Sequence, residues 1–265
     1  MRAFAYHQPS DVSDAVKLLT SVEDSKVLGG GMTLIPTMKQ RLAAPAAVVD
    51  LAGLAALKGI SDDGTTLTIG AMTPHAAVAS SPVVQARIPA LAHLASEIGD
   101  PAVRNRGTLG GSVANNDPAA DYPAAVLGLG ATIVTNTREI AADQFFLGLF
   151  ETALQPGEIV TAIRFPVPLA AGYAKFKAPA SRYALVGVFV AKFADGVRVT
   201  VTGAGSGVFR VPAMEHALSQ SFEPTSIASI KIDAAGLTSD IHAEADYRAH
   251  LVTVMAKRAV SAASS

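Results

Sequence analysis

The chain has 265 residues, half of them hydrophobic and 16 per cent charged, with a net charge of −1. It is long enough to bury a sizeable core, and it carries no basic field of the kind that attracts nucleic acid or anionic membrane. It contains no cysteine, which excludes disulfides, thiolate metal sites and a thiolate-held iron–sulfur cluster within this chain.

The N-terminal M-R-A-F-A-Y-H-Q-P lacks the apolar core of a signal peptide. Ser10 is placed to cap a helix running to about residue 20, with Val12, Ala15, Val16 and Leu19 as its apolar face. A short strand over 26–28 leads into Gly29, Gly30 and Gly31. A helix follows over 32–42, with Pro36 near its first turn, where a missing N–H costs least. A strand over 48–51 completes a β–α–β-like unit.

Leu67 and Ile69 alternate with threonines, as in a strand. Thr73-Pro74 opens a helix, and a further helix sets Ile88, Leu91, Leu94, Ala95 and Ile98 on one face. A loop is expected over 99–121, then a helix from Tyr122 and strands over 131–134 and 158–165. The uncharged stretch 122–137 holds Gly, Pro, Thr and Asn and is a poor membrane span, so a cytoplasmic protein is expected. Segments 186–193 and 197–202 flank Ala194-Asp195-Gly196, a hairpin signal. Helices over 212–218 and 243–259 close an α+β chain of three lobes, expected at 1–57, 58–168 and 169–265.

Two segments carry chemistry. In L-G-G-G-M-T-L-I-P the glycines permit positive φ and close approach of a ligand to the amides, and the helix behind them adds partial positive charge. That describes a phosphate cradle with Thr33 as an added hydroxyl; a tight strand-to-helix turn is the other reading. The second segment is G-D-P-A-V-R-N-R-G-T-L-G-G-S-V-A-N-N-D-P-A-A-D-Y-P, which sets Gly107, Gly110 and Gly111 beside Thr108, Ser112, Asn115 and Asn116. Asp121 can cap the next helix or accept from ribose hydroxyls. Two such loops suit one long ligand, such as a dinucleotide, held between lobes; a pair of unrelated surface loops is the other reading. No P-loop occurs, and G-A-G-S-G-V after the hairpin reads as a loop because its sixth position is Val208 and Pro212 interrupts the helix. No two of the six histidines have helical metal-site spacing, so structural or surface roles are expected for them.

These two motifs, with P-G-E-I-V-T-A-I-R-F-P and F-K-A-P-A-S-R-Y-A in order behind them, closely resemble the FAD-binding medium subunit of molybdenum hydroxylases. The carbon monoxide dehydrogenase medium-subunit type is the nearest group, and xanthine dehydrogenase flavin domains are more distant. The resemblance implies a two-lobed FAD-binding domain of the PCMH/VAO type followed by a smaller α+β C-terminal domain. It implies non-covalent FAD here, a molybdenum cofactor on a large partner subunit, and [2Fe-2S] clusters on a small one. The chain would then pass electrons to an external acceptor, in keeping with its lack of cysteine.

Carried over by position, Gly29, Gly30, Gly31, Met32, Thr33 and Leu34 match the first FAD-binding loop. Thr108, Leu109, Gly110, Gly111 and Ser112 match the second, and Asp121 matches the acidic contact. Ile163 and Lys177 match weaker positions near the flavin, and Tyr183 falls where the carbon monoxide type sets a tyrosine by the isoalloxazine ring. No residue is assigned a direct catalytic role or a metal. Met32-Thr33 replaces the His-Ser common in the carbon monoxide type, and Ser112 stands where Asn is frequent; both count against carbon monoxide as the substrate. Two rival readings are a self-contained flavin reductase on the same general fold and a scaffold chain that has lost its cofactor. The reductase would need an acid in its own substrate pocket, and the scaffold would have no use for intact glycine loops.

Overall fold

The first lobe is a small parallel sheet. Strands β1 (Ala5–His7), β2 (Ser25–Leu28) and β3 (Ala47–Asp50) lie in the order β1-β3-β2, with α1 (Val12–Ser21) and α2 (Leu34–Lys39) as connections. The computed structural model describes residues 1–264 of the chain. It corrects two expectations here. The cap of α1 is Asp11, not Ser10: its side chain accepts from the Asp14 amide, while the Asp14 carboxylate accepts from the Ser10 amide. Helix α2 is shorter than 32–42 because the glycine loop extends through Thr33 before the chain turns helical.

The second lobe is an antiparallel sheet of five strands: β4 (Ile60–Asp62), β5 (Thr66–Gly70), β6 (Thr132–Thr135), β7 (Glu139–Ala141) and, after a small hairpin, β10 (Val160–Pro166). The hairpin is β8 (Phe146–Gly148) with β9 (Glu151–Thr152), preceded by α9 (Ala142–Phe145). The sheet order is β4-β5-β10-β6-β7. Between β5 and β6 run α3 (His75–Ser80), α4 (Pro82–Arg87), α5 (Pro89–Ser96), α6 (Pro101–Arg106), α7 (Leu109–Asn115) and α8 (Tyr122–Gly128). The segment 99–121, expected to be a loop, thus contains α6 and α7. Each has a clear start: Asp100 accepts from the Val103 amide ahead of Pro101, and Thr108 accepts from the Gly111 amide.

The third lobe is an antiparallel sheet of β11 (Ala170–Lys177), β12 (Ala184–Phe193), β13 (Gly196–Thr202) and β14 (Phe209–Arg210), covered by α10 (Pro212–Gln220) and α11 (Ala245–Ala263). Leu251, Val252, Met255, Ala256, Ala259 and Val260 form the buried stripe of α11. That helix sits directly on β11: a Cβ on Gly172 would fall 1.9 Å from the Ala259 carbonyl oxygen.

The third lobe is not an appendage. Tyr173 and Phe189 from its sheet join the central core of Leu67, Ile69, Leu91, Leu94, Tyr122, Phe145 and Phe165. Each such buried side chain contributes about 1.5–3 kcal/mol of apolar burial, so the second and third lobes are tied along a common hydrophobic seam.

Candidate cofactor site

A cleft of about 1180 Å³ is lined by all three lobes. Gly29, Gly30, Gly31, Met32, Thr33 and Leu34 form one wall, and Thr108, Gly110, Gly111 and Ser112 face them. Asp121 lies beside these, and Ser181, Arg182 and Tyr183 close the side toward the third sheet. The volume exceeds the roughly 300–1,000 Å³ of ordinary small-molecule sites and suits a ligand of dinucleotide length.

The two loops do different work. Among the described residues, the amides of Gly29 to Leu34 donate to no carbonyl or side chain. Gly31 is left-handed, at φ +76°, and all six residues line the cleft; unpaired amides beside a cleft are available to an anion. In the second loop the four amides of Leu109 to Ser112 are already engaged. Leu109 donates to the Thr73 carbonyl at 3.1 Å, Gly110 to Ala71 at 2.8 Å and Ser112 to Thr108 at 3.0 Å, and Gly111 donates to Thr108 Oγ1 at 3.2 Å. The first loop therefore has the free backbone donors that an anion cradle needs. The second supplies a fixed, small-residue floor that lets a ligand lie close.

The sequence left Asp121 open as cap or ligand. It stands at the N-cap of α8 but makes no capping bond. Its carboxylate is 4% exposed and is met by Lys175 and Tyr173 from β11. Burial pushes its pKa up, while the Lys175 ammonium and the Tyr173 hydroxyl act in the opposite sense.

Three of the sequence-based candidates do not reach the cleft wall. Leu109 and Ile163 are fully buried in the central core, and Lys177 is exposed and pairs with Glu97 at 3.1 Å. Ile159 and Val160 from the same motif as Ile163 line the cleft instead. They are fixed by Glu158, which binds Arg138 at 2.9 Å, Thr135 at 2.7 Å and the Gln155 amide at 2.8 Å. The Arg138 hydrogen bond, above all, holds the Glu158 carboxyl down at about 2.

The sequence also gave no reason to select His75, expected to be structural or superficial. It is 4% exposed and lines the cleft, with its ring 5.3 Å from that of Tyr122. Burial, helped by Arg104, lowers its pKa to about 4, so the ring is neutral at ordinary pH. Its Nδ1 is enclosed without a partner. The only sequence signal for it is its place directly after Thr73-Pro74. Among the described residues, no three acidic, histidine or cysteine side chains converge to hold a metal.

A nest of unpaired amides opposite a floor of small residues, closed by a tyrosine from a third lobe, defines a protein that binds a phosphate-bearing dinucleotide cofactor. Residues 2–168 match the family described as the FAD binding domain in molybdopterin dehydrogenase, and the chain belongs to that family, as an FAD-binding oxidoreductase subunit. It is similar to the carbon monoxide dehydrogenase medium chain of Hydrogenophaga pseudoflava, at 36% identity over 98% of this chain and 96% of that one. It is also similar to the nicotine 6-hydroxylase medium subunit of Paenarthrobacter nicotinovorans, at 35% identity over 97% and 96% of the two chains. Among solved structures, a chain of reconstituted CO dehydrogenase from Oligotropha carboxidovorans superposes with a TM-score of 0.90 at 34% identity, covering 99% of this chain and 98% of that one.

The cleft fits FAD on its own geometry. The free amides of the first loop suit the pyrophosphate, and the cleft volume of about 1180 Å³ suits a ligand of this size.

Proposed function

We propose that this chain holds FAD across the cleft and serves as the electron-transfer subunit of a three-component molybdenum hydroxylase. In this reading a large partner subunit oxidises the substrate at a molybdenum cofactor, and a small partner carries [2Fe-2S] clusters. This chain accepts their electrons and passes them to an external acceptor. Bound FAD supplies the redox chemistry. The chain's own residues do the rest: the 29–34 amides hold phosphate, Thr108 to Ser112 give close support, Asp121 offers a hydrogen-bond acceptor, and Tyr183 flanks the flavin. The observation that carries the reading is the set of unpaired amides from Gly29 to Leu34 facing the second glycine loop.

No helix among the described residues is long and apolar enough to cross a membrane, and a cytoplasmic complex is the setting this reading implies. The relatives act on chemically unlike substrates, as the names carbon monoxide dehydrogenase and nicotine 6-hydroxylase state. The substrate identity is thus assigned to the large partner and not to this cleft. Co-expression with a molybdenum-binding chain and a cysteine-rich ferredoxin-like chain tests the reading. One complex containing all three chains, with FAD, is expected, doubled by symmetry. A chain that elutes alone in their presence contradicts it.

A further inference from the structure

One buried charge pair borders the cleft without belonging to either glycine loop. The Lys175 side chain is 1% exposed, and its Nζ lies 2.9 Å from Oδ1 of Asp121. The same ammonium donates to the Glu97 carbonyl at 2.8 Å. Tyr173, two residues earlier and so on the same face of β11, donates its hydroxyl to that same Oδ1. Both donors converge on one oxygen. Oδ2 has no partner among the described residues, and Asp121 lines the cleft.

We infer that Lys175 and Tyr173 are positioning residues for the cofactor: they hold the Asp121 carboxylate by Oδ1 in the cleft wall and leave Oδ2 to accept a hydroxyl of the ribityl or ribose part of FAD. This rests on the proposed placement of FAD in the cleft. Stability alone is a poor explanation for the pair, because apolar residues of similar volume commonly replace a buried ion pair without loss. An isolated carboxylate at this depth would take up a proton. Tyr173 and Lys175 oppose that from β11, whereas Glu97, just past α5, acts against ionisation. Tyr122 and Tyr183 feel the Asp121 charge in turn. A charged acceptor binds a hydroxyl more strongly than a neutral one, so this arrangement makes FAD affinity depend on residues of the third lobe.

The test is FAD affinity of the full-length chain, read by flavin fluorescence from about pH 5 to 9. Asp121→Asn should weaken FAD about tenfold above the wild-type midpoint, the difference between a charged and a neutral hydrogen bond, and match wild type below it. Lys175→Met should match Asp121→Asn at low pH and recover toward wild type as pH rises. Its midpoint should lie at least one pH unit above that of wild type. Tyr173→Phe should move the midpoint the same way by less. The double variant Lys175→Met/Asp121→Asn, which leaves no unpaired buried charge, should be flat and equal to Asp121→Asn. Should Lys175→Met fail to fold, Tyr173→Phe and the double variant decide the matter. A Lys175→Met or Tyr173→Phe profile that merely runs parallel to wild type, at any affinity, marks a structural role and overturns the inference. Unchanged FAD affinity in Asp121→Asn overturns it at Asp121 itself. A wild-type chain that takes up no FAD defeats the functional reading instead.

Discussion

Gly30 and Arg106 meet backbone to backbone: a Cβ on Gly30 would lie 2.0 Å from the Arg106 carbonyl oxygen and 2.6 Å from the Gly107 Cα. The glycine at this position is therefore required for the two cofactor loops to approach each other, before any ligand arrives. Gly30→Ala should already force the loops apart, at a cost of about 1–3 kcal/mol typical of overpacking, and Gly30→Val should cost more. Both should lose FAD. Urea unfolding beside flavin content checks this, and a Gly30→Val protein with wild-type stability and full flavin would contradict it.

FAD should be bound without a covalent bond and should act as a thermodynamic clamp between lobes. Acid precipitation should leave the flavin in the supernatant. FAD at about one hundred times its Kd should add about 2.7 kcal/mol, which raises Tm by roughly 5–10 °C for a chain of this size. Flavin retained in the acid pellet, or a Tm indifferent to FAD, would overturn this.

Much of the site was legible because glycine runs and cap residues are local signals. Gly29 to Leu34 and Thr108 to Ser112 announce tight backbone wherever they occur. What the chain could not announce was which backbone each glycine approaches. Gly30 reads as a ligand contact, and the structure adds a second demand on it: a Cβ there would meet Arg106, far along the sequence. The 99–121 stretch read as loop because its glycines and prolines masked the caps Asp100 and Thr108, each of which starts a short helix. Ile163 and Lys177 stood in the right motifs, but strand alternation turns Ile163 to the core and an ion pair draws Lys177 to Glu97. The Asp121–Tyr173–Lys175 set depends on packing of β11 against the second lobe, which no local pattern encodes.

His75 should make the chain acid-sensitive above the range where carboxylates titrate. Burial depresses its pKa to about 4, from 6.5. A base depressed on folding contributes full stability above its unfolded value, and that contribution is lost as pH falls from about 6.5 toward about 4. Glu158, depressed to about 2 from 4.5, acts only below that window. Urea stability should therefore decline between pH 6.5 and 4.5 in wild type and stay flatter there in His75→Phe. Identical slopes in the two proteins would remove His75 from this role.

Substitution of Tyr183 should separate electron transfer from substrate chemistry. Tyr183 lines the cleft and is 44% exposed, so ring surface is open to a ligand. Its phenol pKa is raised by burial and by Asp117 and Asp121, with a Thr33 hydrogen bond acting the other way, which ties it to the first loop. A ring so placed can pack on the flavin, with stacking worth about 0.5–1.5 kcal/mol beyond its burial. Tyr183→Ala should shift the flavin potential or the rate of reaction with the acceptor, and Tyr183→Phe should retain most of the wild-type behaviour because it keeps the ring. In the assembled complex, substrate oxidation at the molybdenum subunit, followed in a single turnover by bleaching of the iron–sulfur clusters, should proceed at its normal rate in both variants. A Tyr183→Ala complex in which that first half-reaction slows, while potential and acceptor kinetics stay unchanged, would place the residue on the substrate side and not beside the flavin.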